Sequence, residues 1–412
     1  MNVLHLSTSD IEGGAARAAY RLHQGLTEAG VSSNMLVRAK QSSDEKVLAE
    51  RSLLTKLGPP LNTRPLRRYR DREPSMFSPQ WFPDVIASKI CQLNPDIVHL
   101  HWVCNGFMKI ETLEKLGKPI VWTLHDMWPM TGGCHYAQTC DRYTQSCGSC
   151  PQLHSQDPRD LSYKIWQRKL AAWKDLDMTL IAPSHWFAEL AQASSLFKNK
   201  RIEVIPHGLN LNQYRPISPP LARTVMNLPS NKKILLFGAS SGVTNDPRKG
   251  FQFLRSALQS LSQTDWHQQL EVVIFGISEP SEPLDLGFPV HYTGRLQDDM
   301  SLMLAYAAAD VMVVPSMQES FGQTASESLA CGTPVVAFNA TGLKDIISHK
   351  QDGYLAAPYK VDDLERGIVW VLENSERHTR LCQRSRENAE QHLSLELQAK
   401  RHQALYQTLT SA

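Results

Sequence analysis

The feature that most constrains the fold is a repeated alternation of short apolar segments with longer helical patterns. Ten segments have the length and the β-branched, apolar composition of buried strands: 2–7, 33–38, 96–101, 119–124, 179–184, 233–238, 271–276, 289–294, 310–315 and 334–339. Strands that alternate with helices form parallel sheets with helices on both faces. The sequence therefore predicts an α/β protein of two similar halves, each with its own parallel sheet.

The boundary between the halves is visible in residues 203–220, which end a strand and then become rich in Pro and Asn. We predict a first domain at 1–208, a second at 209–390 and a terminal helical segment at 391–412. A chain of 412 residues with 42% hydrophobic residues is long enough for two or three domain cores.

Charge and hydropathy exclude several classes of partner. A net charge of +2 provides no general attraction to nucleic acid, so we expect no nucleic-acid partner. No window approaches 18 uninterrupted apolar residues, and the segment MNVLHLSTSD lacks the charged and apolar regions of a signal peptide. We therefore expect a cytoplasmic protein, while the oligomeric state is left open.

The most informative local pattern is QESFGQTASESLACGTPVV, residues 318–336. It follows the apolar strand at 310–315 and contains a short helix that begins near Gln323. Ligands of α/β sheets bind at such junctions, where a helix N-terminus can hold a diphosphate. Glu319, in the loop, could then accept hydrogen bonds from sugar hydroxyls, and Glu327, on the helix, those of a ribose. Exposed loop and helix acids are the alternative interpretation.

These residues resemble the signature of the retaining glycosyltransferases of family four, the "group 1" sugar transferases, which carry two glutamates separated by seven residues. The resemblance implies the GT-B architecture, two Rossmann-like domains facing across a cleft, with the segment 391–412 packed back on the first domain. It implies a transferase of the EC 2.4 class that retains the anomeric configuration of a sugar taken from a UDP- or GDP-sugar. The diphosphate would be held by the backbone of Phe321, Gly322, Gln323 and Thr324.

Two adjacent cations, Arg248 and Lys249, precede the predicted helix of the second half's first strand–helix unit. Fixed cations would stabilise the charge that grows on a departing diphosphate. In the resembling family an Arg stands where this chain has Ala239 or Ser240, so Arg248 is expected to substitute for it. A solvated loop is the alternative. Arg295 is a further candidate, as a neighbour of the nucleotide base.

Paired glycines, Gly13 and Gly14, stand between the first strand and the first helix. Glycine lets a backbone approach a ligand closely, and the resemblance suggests contact with the donor phosphate or the acceptor. A simple tight turn is the alternative. The pattern is not GxGxxG, and Arg38 stands where a dinucleotide-binding enzyme would carry an acid, which argues against an oxidoreductase.

His125 follows the fourth strand of the first half, in TLHDMWPMTGGC. Its position resembles that of a family histidine that hydrogen-bonds the donor sugar, and a core histidine is the alternative. Asp126 is a weaker candidate for acceptor activation. His99 and His101 alternate on one strand, so they face the same side. We assign them no function from the sequence.

Four of the eight cysteines, Cys134, Cys140, Cys147 and Cys150, fall within 17 residues. The Cys147–Cys150 spacing is that of a metal knuckle, so structural zinc is the leading interpretation, with unliganded thiols and disulfides as alternatives. We expect no catalytic metal, because Asp175 and Asp177 lie in a predicted turn. Some bacterial polysaccharide-assembly transferases carry a similar cysteine-bearing insert.

These patterns together predict a glycosyltransferase with a saccharide acceptor, free or lipid-linked, in bacterial cell-surface or exopolysaccharide biosynthesis. Five arginines between Arg64 and Arg72 either form a solvated loop or contact anionic lipid at the inner membrane. A nucleotide-sugar epimerase of the same fold would convert the donor without an acceptor. A bilobed sugar-binding protein would bind sugar without turnover and would normally be exported.

Overall fold

A computed structural model describes residues 1–238, 246–282, 284–296 and 298–411. The chain divides into two compact units. The first contains Met1–Pro206 together with the residues from Gln398 onward, and the second contains His207–Leu397. Ala239 and Ser240, where the family arginine was sought, lie outside the described residues.

Within the described residues, the first unit contains a seven-stranded sheet in the order β3-β2-β1-β4-β5-β6-β7. Every strand pair in it is parallel. The strands are β1 Asn2–Ser9, β2 Ser32–Ala39, β3 Val47–Ala49, β4 Ile97–Leu100, β5 Ile120–Thr123, β6 Met178–Ala182 and β7 Arg201–Val204. The helices are α1 Gly14–Glu28, α2 Leu53–Asn62, α3 Ile86–Leu93, α4 Leu161–Trp173 and α5 His185–Ala193.

The described part of the second unit contains a six-stranded parallel sheet in the order β10-β9-β8-β11-β12-β13. Its strands are β8 Lys233–Gly238, β9 Leu270–Phe275, β10 Val290–Tyr292, β11 Val311–Val314, β12 Val335–Phe338 and β13 Gly353–Ala356. Its helices are α6 Pro219–Val225, α7 Phe251–Leu261, α8 Asp299–Ala308, α9 Gln323–Ala330, α10 Val361–Leu372 and α11 Ser375–His392. The last helix of the chain, α12, is Leu395–Thr410.

The fold-class prediction is confirmed, because both halves are α/β with parallel sheets. The central strands β4, β5, β11 and β12 are buried along their whole length, which is why they read as continuous apolar runs. The sequence did not predict β3 and β13, and it indicated β7 only through the strand that ends near residue 203; all three are edges of their sheets. β7, with the sequence RIEV, is partly exposed and has no apolar run to signal it.

The chain returns to the first unit through α12. Leu209 pairs its backbone with Leu393 and Leu395, at 2.8 and 2.9 Å, which holds the start of the segment in the second unit. Further along, the Tyr406 hydroxyl lies 2.6 Å from Nδ1 of His99 on β4. The described residues from Gln398 onward belong to the first unit.

Among the described residues, no helix combines the length and the apolar content needed to cross a bilayer.

Candidate functional site

The second unit places a charged loop at the carboxyl end of β11. Helix α9 begins at Gln323, directly after Gly322, which has a φ of 107°. A Cβ at Gly322 would lie 2.6 Å from Cδ2 of Leu343, so both the backbone conformation and the packing require glycine there. The amides of Gly322 to Thr324 therefore lie at the N-terminus of α9, next to the end of a buried strand.

Lys249 and Glu319, predicted from separate motifs, are brought together. The Lys249 Nζ lies 2.7 Å from Oε2 of Glu319, and the two side chains are 27% and 16% exposed. The loop that carries Lys249 is pressed against the strand end, because Gly250 would place a Cβ only 1.8 Å from the carbonyl oxygen of Pro315. This ion pair is thus reachable from solvent and fixed to rigid backbone on both sides.

Arg248 faces a different carboxylate from Lys249. Its guanidinium lies 2.7 Å from Oδ2 of Asp246, and its carbonyl accepts a hydrogen bond from the Met317 N–H at 2.6 Å. Arg248 therefore ties the turn Pro247–Lys249 to the loop before α9. Arg295, which follows β10, is exposed.

Glu327 is buried on α9, with 4% of its surface exposed. The hydroxyl of Tyr306, on α8, donates a hydrogen bond of 2.8 Å to Oε2 of Glu327. Burial, followed by the neighbouring charge of Glu327, raises the pKa of Tyr306 well above its usual value, so the hydroxyl keeps its proton. Tyr306 was missed in the sequence because it lies on another helix and carries no local signal.

The side chain of Phe321 packs in the interior of the second unit. Its ring is 3% exposed and meets the His207 ring edge-on, with 5.0 Å between ring centres. The Phe321 side chain is therefore part of the core, and the backbone contact to a diphosphate stays a prediction.

In the first unit, His125 ends a hydrogen-bonded series of imidazoles. His125 Nε2 lies 3.1 Å from Nδ1 of His101, and His101 Nε2 lies 3.0 Å from Nδ1 of His5 on β1. Burial lowers the pKa of His125 to about 4 and the pKa of His5 and His101 well below the usual value. These imidazoles are therefore neutral near pH 7, and His125 is suited to exchange hydrogen bonds with hydroxyl groups.

His101 and His5 are the residues that sequence reasoning undervalued here. The available signal was the strand alternation together with the register, in which His5 lies opposite His99. Ring nitrogens of His5, His99 and His101 lie within 4.8 Å of one another, a spacing that a metal ion could use. Both nitrogens of His99 are bound to Tyr406 and Thr123, and both of His101 to other imidazoles, so we assign the cluster to hydrogen bonding.

Asp126 is engaged by three donors of the first unit. It accepts hydrogen bonds from Trp102 Nε1 at 2.8 Å, His135 Nδ1 at 2.6 Å and the Trp128 N–H at 2.8 Å. Burial opposes its ionisation, but the charge and hydrogen bond of His135 and the other donors lower its pKa overall. Asp126 is therefore an ionised anchor of the loop after β5, and this arrangement does not favour acceptor activation.

The remaining predicted residues also lie in the first unit. Gly13 precedes α1 with a φ of 90°, and a Cβ there would meet no atom within 4 Å, so the space beside this loop is open. The four clustered cysteines, Cys134, Cys140, Cys147 and Cys150, border one cavity.

Family models match both halves of the chain. The model described as "Glycosyltransferase Family 4" matches residues 12–213, and the model described as "Glycosyl transferases group 1" matches residues 223–392. The two matches together cover most of the sequence.

Individual relatives agree with these models. A D-inositol 3-phosphate glycosyltransferase of Arthrobacter sp. (strain FB24) is 28% identical over 65% of this chain, and the match spans 60% of its own length. WcaC of Escherichia coli (strain K12), named as a colanic acid biosynthesis glycosyl transferase, is 23% identical over 84% of this chain and 85% of its own. The structure of Anabaena Alr3699/HepE in complex with UDP and glucose has a TM-score of 0.65 at 18% identity and covers 100% of both chains. At that identity the structural likeness concerns the fold.

Proposed function

We propose that this chain, which belongs to the group 1 glycosyltransferases of family 4, transfers a sugar from a nucleoside diphosphate sugar to a saccharide with retention of configuration. The observation that carries the proposal is the Lys249–Glu319 pair beside the N-terminus of α9. A cation and a helix N-terminus suit the diphosphate of such a donor, and a carboxylate at the same strand end suits its hydroxyls.

The diphosphate is the part of the donor that changes charge during transfer. As the glycosidic bond to the diphosphate breaks, negative charge grows on the leaving oxygen. Lys249 and the amides of Gly322 to Thr324 are fixed in place before the reaction, so they stabilise that charge without reorganisation. Arg248 adds positive potential from the same turn.

The two glutamates take different roles in this proposal. Glu319 accepts hydrogen bonds from sugar hydroxyls, and its ion pair with Lys249 orients its carboxylate. Glu327 accepts those of the ribose, with Tyr306 holding one of its oxygens in position. Arg295 is the proposed neighbour of the base.

In the first unit, His125 is the proposed contact to the transferred sugar. A neutral imidazole exchanges hydrogen bonds with a hydroxyl without placing a cation near the reacting carbon. Gly13 and Gly14 are proposed to approach the donor phosphate or the acceptor, for which the open space beside Gly13 leaves room.

The names of relatives guide the choice of substrates. UDP occurs with the Anabaena protein, so UDP-sugars are the first donors to test, followed by GDP-sugars. WcaC is named for colanic acid biosynthesis, so a saccharide of a bacterial surface polymer, free or lipid-linked, is the proposed acceptor.

A basic and apolar surface supports peripheral membrane contact, as a lipid-linked acceptor would require. Helix α2 exposes Leu53, 72% exposed, together with Leu54 and Leu57. The turn Arg64–Arg68 follows directly, with Arg67 and Arg68 exposed. Apolar side chains beside arginines suit the boundary of an anionic bilayer.

The test is turnover of UDP- and GDP-sugars with oligosaccharide and lipid-linked acceptors, with nuclear magnetic resonance to assign the anomeric configuration of the product. The proposal predicts release of the nucleoside diphosphate that depends on acceptor, and a product with the donor's configuration. Conversion of the donor to an epimer without acceptor would instead identify an epimerase, and saturable sugar binding without turnover a binding protein. An inverted product would overturn the retaining mechanism.

A further inference from the structure

A cavity in the first unit is lined by cysteines of the segment that connects β5 to α4 in the sequence. None of its lining residues belongs to the proposed donor site. Cys134, Cys140, Cys147 and Cys150 all border it, among mainly apolar or backbone neighbours such as Phe77 and Ala137. Its volume is about 20 Å³, which is room for one sphere of the size of a water molecule. Four cysteines thus line a space of the size of a single ion.

The backbone around this cavity already donates to sulfur. The Gly132 N–H donates a hydrogen bond to Sγ of Cys147 at 3.1 Å. A Cβ at Gly132 would lie 2.7 Å from Cβ of Cys147, so only glycine allows this approach. N–H donors of this kind stabilise thiolates and orient metal ligands.

Two cations accompany the cysteines. Lys169, on α4, is fully buried, donates to the carbonyls of Trp128 and Thr131 and lies over the Trp128 ring. No carboxylate oxygen of the described residues lies within 4 Å of its nitrogen. Arg142 borders the cavity itself and donates to the Gly148 carbonyl at 2.7 Å. A buried ammonium is costly unless negative charge lies nearby. Asp126 supplies part of that charge, and a thiolate cluster would add to it.

We propose that Cys134, Cys140, Cys147 and Cys150 bind one structural Zn²⁺ in this cavity. Four thiolates around Zn²⁺ carry a net charge of −2, which Lys169 and Arg142 offset. The four thiols lose their protons to solvent as the ion binds. With Zn–S bonds of about 2.3 Å, tetrahedral sulfurs lie about 3.8 Å apart. No three of the four sulfur atoms, all in described residues, lie within 4.8 Å of one another, so binding draws them toward the cavity centre.

Zinc binding would cross-link the segment that connects β5 to α4. The segment from β5 to α4 has little regular structure, only short 3-10 turns. It begins with His125 and Asp126. A zinc ion would fix this segment by cross-linking it, because binding of a structural ion adds directly to folding stability. All eight cysteines are free thiols in the structure, so no disulfide supplies that cross-link. The proposal is independent of the transferase activity.

The direct test is the metal content of the full-length protein, purified without added metal or chelator and measured by mass spectrometry of the elements. About one zinc per chain is expected. The double variant Cys147→Ser/Cys150→Ser should retain at least tenfold less zinc. The matched control is Cys91→Ser, which alters an exposed cysteine of the same unit and should keep the full zinc content.

A second measurement on the unaltered protein covers the case in which the double variant does not fold. A strong zinc chelator should expose four additional thiols to a maleimide and lower the melting temperature, and added Zn²⁺ should reverse both changes. Two results would overturn the proposal. One is a stoichiometric content of iron instead of zinc, and the other is a metal-free protein whose thiol reactivity is the same with and without the chelator. So would disulfides among these four residues in the unreduced protein.

Discussion

The candidate residues of the second unit are charged, whereas those of the first are neutral, although both sets follow the carboxyl ends of buried parallel strands. In the second unit Lys249 pairs with Glu319, and Glu327 is held by Tyr306. In the first, His125 continues a series of uncharged imidazoles. Fixed charge suits a phosphate, and a neutral imidazole hydrogen-bonds a hydroxyl group without placing a cation beside it. Under the proposed function, the charged residues of the second unit hold the diphosphate, and His125 is a neutral contact to the sugar.

The largest expected effect is on Lys249. Lys249→Ala removes the cation from the proposed diphosphate contact and leaves Glu319 without its partner, so kcat/KM should fall about 10²- to 10³-fold. The matched control is Lys360→Ala, which removes an exposed lysine of the same unit and should leave kcat/KM unchanged. Equal kcat/KM values for the two variants would show that the charge of Lys249 does not contribute to the reaction.

Acidification should destabilise the first unit more than the second. The pKa of His125 is lowered to about 4 by burial, below the usual value of about 6.5, so the folded state binds fewer protons than the unfolded chain between these values. Stability is therefore complete above pH 6.5 and falls as the pH drops toward 4, by about 3 kcal/mol for this residue alone. His402, also in the first unit, has a pKa lowered to about 4 by burial and adds to the loss.

The second unit contains a group that acts in the opposite direction. Burial raises the pKa of Asp352 to about 6, so protonation favours the folded state and its contribution grows as the pH falls through 6. Hydrogen exchange at pH 7 and pH 4.5, corrected for intrinsic rates, should show β1 and β4 losing protection before β11 and β12. Equal loss in both sheets would contradict the predicted difference.

A smaller effect is expected from Tyr306→Phe. The buried Glu327 loses a hydrogen bond, which should cost about 1–3 kcal/mol of stability and raise the KM for the donor by up to about tenfold. Tyr354→Phe is the matched control, because it removes a tyrosine–carboxylate bond of 2.9 Å, to Asp363, elsewhere in the same unit. It should lower stability while leaving the donor KM unchanged, and a similar KM for both variants would deny Tyr306 its positioning role.

The smallest expected effect concerns Arg67 and Arg68, exposed charges of the first unit that have no part in the proposed sugar contact of His125. Arg67→Ala and Arg68→Ala should each weaken binding to anionic vesicles by about 1 kcal/mol and leave turnover of a soluble acceptor unchanged. Vesicle flotation measures the binding, with neutral phosphatidylcholine vesicles as the control. Equal binding to both kinds of vesicle would exclude an electrostatic contact.

The same contrast explains what the sequence could predict. Long apolar runs predicted the central strands. Two separate motifs, one with Glu319 and Glu327 and one with Lys249, predicted the charged candidates, because each motif leaves a local pattern in the sequence. Tyr306 and His101 could not be found in this way, since their roles arise from contacts between separate elements. The edge strand β3 was missed because its three residues are too few to show a strand pattern.

The central claim is that the second unit holds the diphosphate of the donor through Lys249. Isothermal titration of UDP and GDP, without sugar, into the unaltered protein, Lys249→Ala and His125→Gln tests it most directly. The account predicts saturable binding of one nucleotide by the unaltered protein, at least tenfold weaker binding by Lys249→Ala, and unchanged binding by His125→Gln. Absence of binding to either nucleotide, or equal affinity of the unaltered protein and Lys249→Ala, would contradict it.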